Sequence, residues 1–210
     1  LYSKIMKNFP QTIPVFPLSG VIYFPKTNLP LNIFEQRYLN LVNDAYNKDK
    51  LMGMVQSKKE GESVYQVGCL GKISDYQKSR DGRIIINLTG VSRFKILEEI
   101  SNEKMYREFK VDYSDFDEDI KVIKNEIDTL SLMEKARNFF KKNGLLLNWK
   151  EFEKLDQSQK INTLAMIAPV TNEEKQKLLE AISITDKVHT LESIISFYLY
   201  ETGLNNQTIQ

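Results

Sequence analysis

The sequence predicts an α+β chain in which a β-rich part, residues 1–116, precedes a helical part, residues 117–210. Three observations carry that reading. Short alternating runs punctuated by glycine continue as far as Phe116, and beyond Asp117 the apolar residues recur three and four apart, as a helix requires. Asp81-Gly82 also stands between two strand-like runs, and both residue types tolerate the positive φ of a tight hairpin turn.

The elements follow in order. Val15, Phe16 and Leu18 lie among Pro14 and Pro17, which reads as an edge or bulged strand because proline cannot donate to a sheet ladder. Leu29 to Phe34 is a second short strand. Tyr38, Leu41, Val42, Ala45 and Tyr46 then keep helical spacing and form one inserted helix. Strand-like runs return at Leu51 to Gln56, Val67 to Gln77, Arg83 to Thr89, Arg93 to Glu98 and Tyr106 to Tyr113. Ile84-Ile85-Ile86 is apolar on both faces, so this strand is expected to be central and covered on each side. Several strands, one helix and many glycine turns predict a small, partly closed barrel.

In the second part, Ile120, Ile123, Ile127 and Leu130 open a helical stripe that continues through Ala136 and Phe140 and stops at Gly144. A helix from about Ser158 to Ala168 ends before Pro169, whose ring disfavours helical geometry in the preceding residue. Thr171 and Glu174 have capping-box spacing, with Leu178, Leu179 and Ile182 as the buried stripe that follows. The last helix presents Val188, Leu191, Ile195 and Tyr198, ahead of Gly203 and a polar tail expected to fray.

Composition narrows the function. Lys and Arg total 29 against 28 Asp and Glu, a formal net charge of +1 with the signs interspersed, which argues against a nucleic-acid partner. The single cysteine, Cys69, cannot form an internal disulfide and is expected inside a strand, and the reducing cytoplasm is the compatible compartment. We find no continuous apolar run long enough to span a bilayer, and Leu1 to Pro10 lacks the apolar core of a secretory signal, so a soluble chain without a membrane partner is expected. The first residue is Leu rather than Met, which leaves the native N-terminus open.

The chemistry-bearing residues point away from catalysis. His189 is the only histidine, with no ligand or base partner at motif spacing, and no G-x-S-x-G elbow occurs. A Ser-Lys or Ser-His pair assembled in space stays open at this point. Asp115, Asp117, Asp119 and Glu126 have the first, third, fifth and twelfth positions of a calcium loop, but Ile120 stands where that loop needs glycine. Carboxylates gathered at a helix N-terminus explain the run instead. No catalytic residue, metal ligand or cofactor is therefore assigned. Glu35, Arg37 and Tyr38 group at a helix start, where the carboxylate complements the helix dipole, the arginine pairs with a carboxylate and the tyrosine packs inward, a structural role. Tyr23, Phe24, Tyr76 and Arg93 are the candidates for a binding surface, as aromatic or cationic residues at turns and strands.

One stretch is more specific. Ile13 to Leu18, Phe24-Pro25, Leu29-Pro30-Leu31 and Ile33-Phe34-Glu35-Gln36-Arg37-Tyr38 together resemble the opening of a Lon protease N-terminal domain. Gly68 to Ile73, Gly90 to Leu97 with Arg93-Phe94, and Glu174 to Glu180 extend the resemblance in order along almost the whole chain. It implies a PUA-like β pseudo-barrel followed by a C-terminal helical bundle, and a non-catalytic role in recognising exposed or unfolded polypeptide, alongside a protease or chaperone. The Lon ATPase would need a phosphate loop, and the nearest string here, Gly68 to Lys72, has the wrong spacing and is followed by Ile73 where a hydroxyl residue belongs. The resemblance is thus to stand-alone bacterial Lon N-terminal-like proteins, and binding is expected on the barrel surface and in the groove between the two parts. Two alternatives remain. PUA-like barrels also bind RNA, and the chain could be the N-terminal fragment of an ATP-dependent protease, although Asn205 to Gln210 reads as a terminus.

Overall fold

A computed structural model describes residues 9–58, 63–121 and 127–205, with side chains described as far as 201. The chain divides into two compact units, Leu1–Val122 and Ile123–Gln210. The architecture is α+β, with the strands in the first unit and long helices in the second.

The first unit holds strands β1 (Thr12–Leu18), β2 (Asn28–Ile33), β3 (Leu51–Gln56), β4 (Val67–Lys78), β5 (Ile84–Ile100) and β6 (Arg107–Asp112), with helix α1 (Gln36–Asn47) between β2 and β3. The sheet order is β2-β5-β4-β3-β1-β6, and a further pairing of β5 with β6 closes five of these strands into a barrel, leaving β2 alongside β5. Strand alternation sends Ile13, Val15, Val55, Leu70, Phe94, Phe109 and Val111 inward, where they form the barrel core with Tyr113. Each large apolar side chain fully enclosed in this way contributes roughly 1.5–3 kcal/mol. On α1, Tyr38, Leu41, Val42 and Ala45 make the buried stripe that the helical spacing predicts.

Strand β1 is not an edge. It pairs in parallel with β3 from Val15 to Leu18 and antiparallel with β6 from Thr12 to Val15. The prolines fit because the two ladders are staggered. Gln11 and Leu18 accept from Val111 on β6 and Ser57 beside β3, respectively, so alternation turns residue 14 toward β3 and residue 17 toward β6. The β3 ladder has not begun at Pro14 and the β6 ladder has ended by Pro17, so neither missing N–H breaks a bond.

The two runs read as separate strands on either side of Gly90 are one, β5. Gly90 serves close approach rather than a turn: a Cβ there would lie 2.2 Å from the Phe24 carbonyl oxygen. Lys26 N–H donates to the Gly90 carbonyl and Gly90 N–H to the Thr27 carbonyl, both at 2.9 Å. The hairpin between β4 and β5 does turn at Asp81-Gly82, with Gly82 at φ 89°. Ile84 and Ile86 are buried, but Ile85 is 45% exposed, so this strand lies between β2 and β4 with one face uncovered rather than two faces covered.

The second unit comprises α2 (Leu130–Lys142), α3 (Trp149–Phe152), α4 (Gln157–Ile167), α5 (Asn172–Glu180) and α6 (Ile184–Asn205). The first of these begins ten residues later than Ile120, which instead ends a 3-10 helix, Ser114–Ile120. Side chains satisfy the backbone ahead of α2 in place of helical bonds. Asp128 Oδ1 accepts from Leu130 N–H at 3.1 Å, and the Gln157 amide bonds both the N–H and the carbonyl of Ile127. Ile123 lies outside the described residues, and Leu130 is exposed. Gly144 follows the helix at φ 66°. The Thr171 and Glu174 capping box forms as expected, and a second one joins Asp156 to Gln159 at the start of α4. Leu178 and Leu179 are buried, but Ile182 lies beyond α5 and is exposed, so it leaves the stripe. Val188, Leu191 and Ile195 are buried on α6, which runs past Gly203 to Asn205.

Candidate functional site

The barrel wall parts at the end of the β1–β6 ladder. β1 and β6 separate beyond the pair Val15 and Arg107, and the chain ahead of β6 bends away through Met105 and Tyr106. A pocket of about 630 Å³ opens there, lined by Val15 to Ser19, by Glu35, Arg37 and Tyr38 at the start of α1, by Ser57, and by Glu99 and Met105 to Arg107. Pro17 is the local cause, because a residue without an N–H cannot extend the β6 ladder.

The walls are built from neutralised charges and aromatic rings. Arg37 pairs with Glu35 at 2.9 Å, and its guanidinium carbon lies 4.5 Å from the centre of the Tyr38 ring. That ring packs edge-on against Phe16, with centroids 3.9 Å apart. Burial raises the Tyr38 hydroxyl pKa. Across the pocket, Arg107 meets Glu99 in a two-pronged contact, Nε to Oε1 and Nη2 to Oε2 each at 2.7 Å. These hydrogen bonds hold the Glu99 carboxyl below the usual carboxylate range. The Tyr106 hydroxyl donates to Asp44 Oδ2 at 2.6 Å, and burial, reinforced by that acceptor, pushes its pKa up to about 12. Met105 is 59% exposed, with its sulfur 3.3 Å from the Asn40 amide nitrogen.

The site thus offers a strand edge, aromatic and thioether surface, and two ion pairs that cancel. Such surroundings suit an uncharged, extended segment. Among the described residues no cluster of His, Cys, Asp or Glu could hold a metal ion.

Of the residues singled out in the sequence for binding, none lines this pocket. Tyr23, Phe24 and Arg93 are enclosed, so the expectation that they form a surface is corrected. Tyr23 lies against Gly71 of β4 and the Phe24 carbonyl against Gly90 of β5, and Arg93, on the face of β5 opposite the barrel-core residue Phe94, is covered by the 3-10 helix Ser114–Ile120, whose Asp119 pairs with it. Tyr76 is half-buried, stacked on Tyr46 with centroids 4.3 Å apart and donating to Asn43 Oδ1 at 2.7 Å. Glu35, Arg37 and Tyr38, read as structural, do pair and pack as expected, and they also line the pocket. The acidic run is reassigned in part: Asp119 is no helix-terminus carboxylate but the buried partner of Arg93. Phe16, Pro17, Glu99, Met105, Tyr106 and Arg107 were missed, and Pro17 within a strand was the available signal.

Residues 12–196 match the family described as the ATP-dependent protease La (LON) substrate-binding domain, and the chain belongs to that family. Similar proteins include the Lon protease of Syntrophus aciditrophicus, 29% identical over 213 residues that cover 94% of this chain and 26% of that protein. The Lon protease of Malacoplasma penetrans is 29% identical over 197 residues, 85% of this chain and 24% of that protein. The chain thus spans about a quarter of the length of these relatives. Among solved structures, a Lon N-terminal domain protein from Xanthomonas campestris matches with TM-score 0.63 at 20% identity, covering 89% of this chain and 98% of that one. The N-terminal domain of a Mycobacterium avium complex Lon protease also gives 0.63, at 15% identity, with 88% and 98% covered.

Proposed function

We propose that this chain recognises exposed or unfolded polypeptide, carries out no chemistry itself, and delivers what it binds to a protease or chaperone in the cytoplasm. Membership of the Lon substrate-binding family supports the reading, and the pocket at the parting of β1 and β6 is the observation that carries it. A polypeptide needs only backbone groups and apolar surface to be held, and the pocket presents both. Among the described residues no helix is long and apolar enough to cross a membrane, which agrees with a partner in solution.

The test uses reduced, carboxymethylated lactalbumin as an unfolded probe and the native protein as its control, with binding read by fluorescence anisotropy. The unfolded form should bind and the native form should not, and mass spectrometry should find the bound probe uncleaved. Equal binding of both forms, or cleavage of the probe, would overturn the proposal.

A further inference from the structure

We infer that the pocket takes its polypeptide as an added β-strand, laid along the open side of β1 at Pro17 and Ser19. The inference rests on the polypeptide-recognition reading above and specifies how that site holds its ligand.

Three features lead to it. First, β1 loses its β6 neighbour at Val15 yet stays paired with β3 through Leu18, so its last residues are strand on one side only. Second, alternation fixes which groups face the gap. The Leu18 carbonyl accepts from Ser57 N–H at 3.3 Å and so points to β3, which turns the Pro17 carbonyl and the Ser19 N–H the other way, into the pocket. The β6 ladder ends at Val15, and among the described residues no group outside the strands bonds either of them, so neither has a ladder partner on this side. An acceptor and a donor two residues apart on an open edge match the spacing of one residue pair on an extended backbone. Third, the charges beside this edge are already matched in the pairs Glu35 with Arg37 and Glu99 with Arg107. A charged side chain entering here would break one of those pairs or go unpaired. The ligand is therefore an extended segment with uncharged, apolar side chains at the alternate positions that face the pocket, with Met105 as their exposed apolar contact.

Strand addition has a signature that general stickiness lacks, a period of two along the ligand. The shortest fragment of carboxymethylated lactalbumin that binds is remade with one N-methylated amide at a time. Methylation should weaken binding about tenfold at every second residue, the loss of one ladder hydrogen bond, and leave the residues between unaffected. Amide exchange followed by NMR on the full chain should show Ser19 N–H protected when unmodified fragment is added. Ser19→Pro, which removes that donor, should weaken binding, while Ser19→Ala, which keeps it, should not. If Ser19→Pro fails to fold, the methylation pattern and the exchange experiment still decide. Binding without a two-residue period and without Ser19 protection would overturn strand addition while leaving polypeptide recognition standing. No binding of any unfolded probe would remove both.

Discussion

Arg93 and Asp119 form an ion pair enclosed in the first unit, with Nη2 and Oδ1 2.9 Å apart and side chains 2% and 6% exposed. Asp119 Oδ2 also accepts the Arg93 backbone N–H at 2.8 Å, and the guanidinium carbon lies 4.5 Å from the centre of the Phe116 ring. The carboxylate thereby ties the 3-10 helix that follows β6 to the middle of β5. Removing the carboxylate takes from a buried guanidinium its ion-pair partner, so Asp119→Ala should cost about 3–5 kcal/mol in chemical denaturation. The double change Arg93→Met with Asp119→Leu should recover only part of this, because the Arg93 N–H still loses its acceptor.

Gly90 should tolerate no side chain. The atom nearest an added Cβ is backbone, the Phe24 carbonyl oxygen, so no rotamer change relieves the clash. Gly90→Ala is expected to destabilise the unit by about 3 kcal/mol, at the upper end of overpacking effects. Gly82→Ala, with open space around its Cβ but φ at 89°, should cost only about 1 kcal/mol of backbone strain. The order of the two midpoints in urea checks both.

Tyr106 gives an alkaline dependence with a definite sign. Its hydroxyl ionises at about 12 when folded, against an ordinary value of 10.0, so the unfolded chain loses the proton first. The stabilisation is whole below pH 10.0 and is lost as pH rises toward about 12. The stability gap between the natural chain and Tyr106→Phe should therefore narrow across that window and stay constant below it. A gap that widens would contradict the buried hydrogen bond to Asp44.

Met105 is the exposed apolar contact of the pocket, so a substitution there should separate binding from folding. Met105→Glu adds a charge beside two completed ion pairs and should weaken binding of carboxymethylated lactalbumin about tenfold, while the denaturation midpoint stays nearly unchanged. Ile85→Glu, also at an exposed apolar position but outside the pocket, should leave binding intact.

Much of the fold was legible because local signals matched tertiary demands. The α1 stripe, the Asp81-Gly82 hairpin and the Thr171 capping box depend on neighbours a few residues away, which one sequence displays. Gly90 misled because a glycine that marks a turn and one that admits another backbone are the same letter. The start of α2 misled because Ile120, Ile127 and Leu130 kept helical spacing while distant Gln157 held Ile127 out of the helix. The site was harder. Arg93 lies on the outer face of its strand, opposite the core residue Phe94, but is covered there by a helix whose carboxylate is 26 positions away, a relationship no local pattern announces. Family resemblance points to the neighbourhood through Glu35, Arg37 and Tyr38, while the groups opposite come from β5, from the bend ahead of β6 and from the first residue of β6.

The staggered pairing of β1 also constrains the order in which the chain can assemble. Its second half waits for β3, with Val15 opposite Gly53, but its first half waits for β6, with Ile13 opposite Phe109. Closing so long a loop costs chain entropy before any contact repays it, which makes this seam a late event in folding. A ribosome that has synthesised only as far as β5 therefore carries a sheet with both sides of its seam unsealed. During that interval the growing chain presents the kind of exposed strand that, on our reading, the finished protein recognises in others.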